Sequence, residues 1–196
     1  SSISWGDDDV AAAQTERALA AGFDAIKIKV GPPVGKALAR AAFIRKIAGD
    51  AVELTADANS GFDFDQSVRL GRGLADLGYE WLEEPLIPED NDGYLRLRNA
   101  VPLRVALGES DHTVYDSRAL IAAGAVGVIQ PDPARAGGLT ETRRIGLVAY
   151  AFNVPFAPHV GFCGAVCAAA GLHLAAALPN FLTYEAMTFA NLMRQE

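Results

Sequence analysis

Cysteine is nearly absent from this chain: its 196 residues include two, Cys163 and Cys167. Four apart, they would share one helix face, a spacing that rarely gives disulfide geometry. They are read as small apolar core residues, with no disulfide framework and a reducing cytoplasm as the expected location. Positive charge is also in deficit. Lys and Arg number 17 against 24 Asp and Glu, a formal net charge of −7. That balance argues against nucleic acid as a partner, because phosphate binding needs a basic surface. It leaves small anionic substrates open, since a bound cation reverses the sign of a site. Every longer apolar stretch is interrupted by charge, Gly or Pro, and the start has no signal-peptide pattern, so no membrane span is expected. No GxGxxG follows the first strand-like run, which removes the usual mark of a dinucleotide-binding open sheet.

What is present is a globular composition, 51% apolar and 21% charged, long enough to bury a sizeable core. Two patterns alternate along it. Short apolar or β-branched runs are predicted as strands at 25–30, 52–57, 79–84, 103–109, 126–132, 154–159 and 181–185. Longer, Ala-rich stretches are predicted as helices near 10–21, 36–48, 66–77, 93–99, 115–123, 140–152 and 164–177. Strand–helix alternation of this kind means a parallel α/β sheet. Eight such units close a barrel, and a doubly wound open sheet is the competing architecture.

The functional signal lies at the strand ends. Lys29, Asp57, Glu83, Glu109, Asp132, His159 and Glu185 each stand at or just past the C-terminal end of a predicted strand. Subtracting positions gives spacings of 28, 26, 26, 23, 27 and 26 residues, about one βα unit each. Polar residues in phase would ring one rim of a barrel, the rim where barrel enzymes carry their active sites. Ionisable groups at the ends of apolar strands are costly unless paired or metal-bound.

Residue type sorts the roles. Asp57, Glu83 and Glu109, from consecutive strands, repel one another unless a divalent cation lies among them. Oxygen ligands favour Mg²⁺, or Mn²⁺, over zinc. Glu84 follows Glu83 and would point the other way on a strand, so Glu83 is taken as the ligand. Lys29 stands before these strands and His159 after them, so two bases would face each other across a metal-bound carboxylate. Lys27, two residues before Lys29, shares its face, and a second ammonium makes Lys29 a usable base near neutrality. Asp132 is placed to hold the His159 tautomer. Glu185 is placed to donate a hydrogen bond to a developing enolate. Arg135 fits a structural ion pair as well as a substrate contact, His173 reads as packing inside an apolar helix, and Trp5 falls near the mouth of the site.

The segments KIKVG, TADAN, WLEEP, ALGES, IQPDPARAGGLTE, APH and YEAM, in this order and spacing, resemble the mandelate racemase group of the enolase superfamily (the mandelate racemase/muconate lactonizing enzyme family). The resemblance covers nearly the whole chain. It implies a (β/α)₈ TIM-type barrel, with residues 1–196 forming part of the C-terminal barrel domain, its first strand and the N-terminal α+β capping domain lacking. It implies Mg²⁺ on Asp57, Glu83 and Glu109; Lys29 as a base supported by Lys27; His159 as the other base, paired with Asp132; Glu185 as the partner of the enediolate; and Asn59 as a substrate contact. The expected chemistry is removal of the proton α to a carboxylate. Its expected outcome is dehydration of a sugar acid to a 2-keto-3-deoxy acid by a magnesium-dependent lyase. Racemisation or epimerisation of a 2-hydroxy acid is the alternative, and an inactive fragment or structural barrel the second. The expected partner is a small carboxylate, and the full-length protein is expected to be a homo-oligomer.

Overall fold

The structure, a computed structural model, describes residues 1–3, 6–161 and 163–186. It divides into two compact units, Ser1–Val105 and Ala106–Glu196. In the first, strands and helices alternate as β1 (Ser2–Ile3), α1 (Asp8–Ala20), β2 (Ala25–Lys29), α2 (Val34–Ala48), β3 (Glu53–Asp57), α3 (Phe64–Asp76), β4 (Tyr79–Glu83) and α4 (Asn91–Ala100). The strand β5 (Arg104–Leu107) starts at its end. β1 pairs in parallel with β2, β2 with β3 and β3 with β4.

Strand composition explains the layering. In β2, Ile26 and Ile28 point to one side and are buried, while Lys27 and Lys29 point to the other by the two-residue period of a strand. The helices present small or aliphatic residues inward: Ala37, Ala41 and Ile44 of α2, and Leu70 and Leu74 of α3. Full burial of one such leucine contributes about 1.5–3 kcal/mol. Helix α3 starts with a capping box, Asp63 accepting from the Gln66 N–H at 2.8 Å and Gln66 accepting from the Asp63 N–H at 3.2 Å. Asp7 holds the cap position of α1 but makes no side-chain cap bond; Asp8 and Asp9 lie in the first turn, where the helix dipole favours negative charge.

The second unit contains the end of β5, then α5 (Val114–Ala122), β6 (Val128–Ile129), α6 (Gly138–Ala151) and α7 (Ala165–Ala177). Ala106 and Leu107 pair in parallel with Val128 and Ile129. Beyond β6 the parallel order continues as single bridges, Ile129 to Phe156 and Phe156 to Phe181.

Two expectations change here. The loop expected at the start, with its first strand missing, includes β1, whose Ile3 lies opposite Ile28 and is buried. A two-residue strand is too short to show alternation, so no sequence pattern could announce it. The strands expected at 126–132, 154–159 and 181–185 shrink to β6 and the two bridges. Pro131, Pro133, Pro155 and Pro158 donate no ladder hydrogen bonds. Backbone bonds survive between them, Ala157 N–H to Ile129 O at 3.0 Å and Leu182 N–H to Phe156 O at 2.8 Å.

Candidate active site

The register of the first unit builds half of the predicted ring. Lys29 lies opposite Asp57 and Asp57 opposite Glu83. One layer down, Lys27 lies opposite Thr55 and Thr55 opposite Trp81. Same-face side chains on neighbouring parallel strands stand about 5 Å apart, so these two rows interact. Lys29 donates to Asp57 Oδ2. Lys27 reaches diagonally, donating to Glu83 Oε1 at 2.7 Å and lying 3.7 Å from Asp57 Oδ2. Asp57 and Glu83 are 0% and 1% exposed, and each offers a carboxylate oxygen within 4.8 Å of the other. Burial by itself raises the pKa of Asp57; the ammonium groups of Lys27 and Lys29 more than reverse this and hold the carboxyl below its ordinary value.

Two further groups aim these carboxylates. The Asn59 N–H donates to Asp57 Oδ1 at 3.0 Å, and the Trp81 indole N–H to Glu83 Oε2 at 3.4 Å. The Trp81 contact was open to inference from its position two residues before Glu83, on the same face. Asn59, Ser60 and Glu84 all take left-handed backbone, with φ of 42°, 59° and 34°, a conformation unusual for residues with a Cβ. The Ser60 N–H donates to the Glu84 carbonyl at 2.6 Å, which joins the loops beyond β3 and β4. Strained residues of this kind concentrate at functional sites.

The second unit holds Glu109, Asp132, His159 and Glu185. His159 Nδ1 lies 2.8 Å from Asp132 Oδ2, so the expected Asp–His pair is formed, and both residues are buried. The Ala134 N–H donates to the other Asp132 oxygen at 2.7 Å. Burial raises the Asp132 pKa, but the His159 and Ala134 hydrogen bonds outweigh it and hold the carboxyl below its ordinary value. The other ring nitrogen, His159 Nε2, lies 3.3 Å from Glu109 Oε2. Arg135 Nη1 lies 3.1 Å from Glu109 Oε1, an ion pair. Glu109 Oε2 is buried and has no hydrogen-bond partner among the described residues. Glu185 is half-buried, four residues past the Phe181 bridge.

The donors of each unit suit a hard divalent cation. In the first, Asp57 and Glu83 supply buried carboxylate oxygens paired with lysine ammonium groups; in the second, Glu109 Oε2 is buried with no hydrogen bond, 3.3 Å from His159 Nε2. All the donors are oxygen, the preference of Mg²⁺ and Mn²⁺.

Other expectations resolve differently. Cys163 precedes α7, and both cysteines are half-buried thiols in no disulfide. Burial and the neighbouring Cys163 push the Cys167 thiol up to about 12. His173 is exposed on α7, because the buried side of that helix is taken by Gly171, Leu174 and Ala175. Trp5 lies outside the described residues. No helix among those residues is long and apolar enough to cross a membrane.

Comparison with known proteins shows the family. Residues 10–196 match the model of the family described as enolase C-terminal domain-like. The chain is 38% identical over 172 residues to D-galactarolactone cycloisomerase of Agrobacterium fabrum, covering 88% of this chain and 45% of that protein. It is 31% identical over 158 residues to arabinonate dehydratase of Saccharolobus solfataricus, covering 80% and 42%. A solved structure of a racemase from Streptomyces coelicolor with bound magnesium superposes with a TM-score of 0.84 at 33% identity, covering 92% of this chain and 49% of that one. The chain thus spans less than half the length of each.

Proposed function

Since the chain belongs to the enolase C-terminal domain-like family, we propose that it carries the acid–base machinery of an enzyme that removes the proton α to a carboxylate, most simply to dehydrate a sugar acid. The observation that carries this reading is the buried Asp132–His159 pair, which holds Nδ1 and turns Nε2 toward Glu109. In this mechanism Asp57, Glu83 and Glu109 would hold one Mg²⁺ or Mn²⁺, whose charge offsets the negative charge that builds on the substrate carboxylate. Lys29 takes the α-proton. Its bond to Asp57 Oδ2 holds its amine beside the carboxylates that would bind the cation. Lys27, held on Glu83, keeps a positive charge beside Lys29. His159 Nε2 delivers a proton to the departing β-hydroxyl, and Asp132 stabilises the imidazolium that precedes it. Glu185 donates to the enediolate oxygen, and Asn59 contacts the substrate.

The atoms balance as loss of water, which leaves an enol that becomes a 2-keto-3-deoxy acid. If the β-oxygen belongs to a ring, the same elimination opens the ring and loses no atoms. The cycloisomerase name of one relative favours this as a second reading. Reprotonation on the opposite face, by His159, is the racemase alternative. With the reading go a small carboxylate as partner, a homo-oligomer and a cytoplasmic location.

The test is NMR in deuterated water with a sugar-acid library. The protein should exchange the α-proton and release a keto acid. Lys29→Ala should lose both, while His159→Asn should keep exchange and lose the product. If folded forms of both variants keep exchange and turnover, the mechanism does not operate here.

A further inference from the structure

Arg135 leaves the main chain three residues after Asp132, in a turn tied by the Arg135 N–H to Asp132 O at 3.0 Å and the Ala136 N–H to the same oxygen at 2.8 Å. From there its guanidinium crosses to the end of β5 and grips Glu109 twice. Nη1 lies 3.1 Å from Oε1 and 3.3 Å from the Glu109 backbone carbonyl. One nitrogen therefore ties the carboxylate to its own main chain, which fixes a side chain with three rotatable bonds. Oε1 is occupied, while Oε2 is buried with no hydrogen bond and has His159 Nε2 3.3 Å away. We infer that Arg135 is a positioning residue that presents Glu109 to the divalent cation through the single oxygen Oε2. The inference rests on the reading of Glu109 as a cation ligand.

The physical consequence concerns open positions. Mg²⁺ and Mn²⁺ favour about six ligands. A glutamate that offers both oxygens uses one position more than a glutamate that offers one. By holding Oε1, Arg135 keeps that position for substrate. Its charge acts in the opposite sense, because a guanidinium near a cation site weakens cation binding. The Arg135 side chain is 48% exposed, so solvent screens this repulsion and the positioning effect dominates. The two effects predict opposite signs when Arg135 is removed, so binding itself separates them.

The experiment titrates Mn²⁺ into the full chain, following the free-ion signal by electron paramagnetic resonance, for the wild type, Arg135→Met, Arg135→Lys and Glu109→Gln. Circular dichroism checks each fold. Arg135→Met should weaken Mn²⁺ binding about tenfold, despite the loss of a positive charge. Arg135→Lys, which restores a donor on a shorter reach, should recover part of that loss. If Arg135→Met does not fold, the shortfall of Arg135→Lys against the wild type carries the test. Should Glu109→Gln weaken binding while the Arg135 variants bind as tightly as the wild type or tighter, the ligand reading stands and the positioning role is overturned. If Glu109→Gln leaves binding unchanged, the ligand reading falls, and the role of Arg135 falls with it.

Discussion

At the scale of single residues, the candidate site rests on buried charges that are paired one by one. Lys27 with Glu83, Lys29 with Asp57 and His159 with Asp132 each place an ionisable group where a lone charge would be costly. Asp132 gives the clearest pH signature. Its folded pKa is held below the ordinary value, so its stabilising effect is present above the unfolded carboxyl value near 4 and is lost as pH falls through the folded one. Asp132→Asn should therefore cost about 1–3 kcal/mol at pH 7, the cost of a broken charged hydrogen bond. The cost should shrink steadily below about pH 4. Denaturant unfolding at pH 7, 5 and 3.5 measures it, and a pH-independent difference would contradict the assignment. The residues of this pair were legible from their phase at the strand ends. The bond of Arg135 to Glu109 was not, because a flexible arginine reaches many partners and only coordinates select one.

The helices were the most legible elements, because their limits are written in local chemistry. The start of α3 is an exception: expected near 66, it lies at Phe64, where the capping box of Asp63 and Gln66 places it. Asp63→Ala should destabilise the protein by about 1 kcal/mol through loss of the cap, with the cation affinity unchanged because Asp63 lies six residues beyond the β3 carboxylate Asp57. Equilibrium unfolding tests the first part; a change within about 0.2 kcal/mol of zero would show that water replaces the cap fully. The strands were less legible. β2, β3 and β4 lie within one residue of the predicted ends, because their buried aliphatic residues alternate with the functional ones. The strands around Phe156 and Phe181 collapse to single bridges, since apolar patterning marks burial while prolines decide how much of a ladder forms.

For the whole molecule, the net charge of −7 and the buried carboxylates leave room for a divalent cation to act as a folding ligand. Mg²⁺ at about a hundredfold above its Kd should stabilise the protein by about 2.7 kcal/mol. The melting temperature should rise by roughly 5–10 °C. EDTA should reverse the rise, and Glu83→Gln should remove it. A wild-type melting temperature indifferent to both Mg²⁺ and EDTA would refute the cation reading. The sequence by itself determined the alternation of strand and helix, the rim on which the polar residues stand, and the ligand chemistry that three carboxylates imply. Those follow from period and spacing, which are properties of the chain read in one dimension. Only the tertiary structure decided which atoms meet: Lys27 passing its lateral neighbour Thr55 to reach Glu83, Nδ1 of His159 turning to Asp132, Arg135 taking one Glu109 oxygen and leaving the other. Spacing fixes the strand end and the face of each side chain, whereas partners are fixed by lateral register and rotamer, which depend on segments tens of residues away.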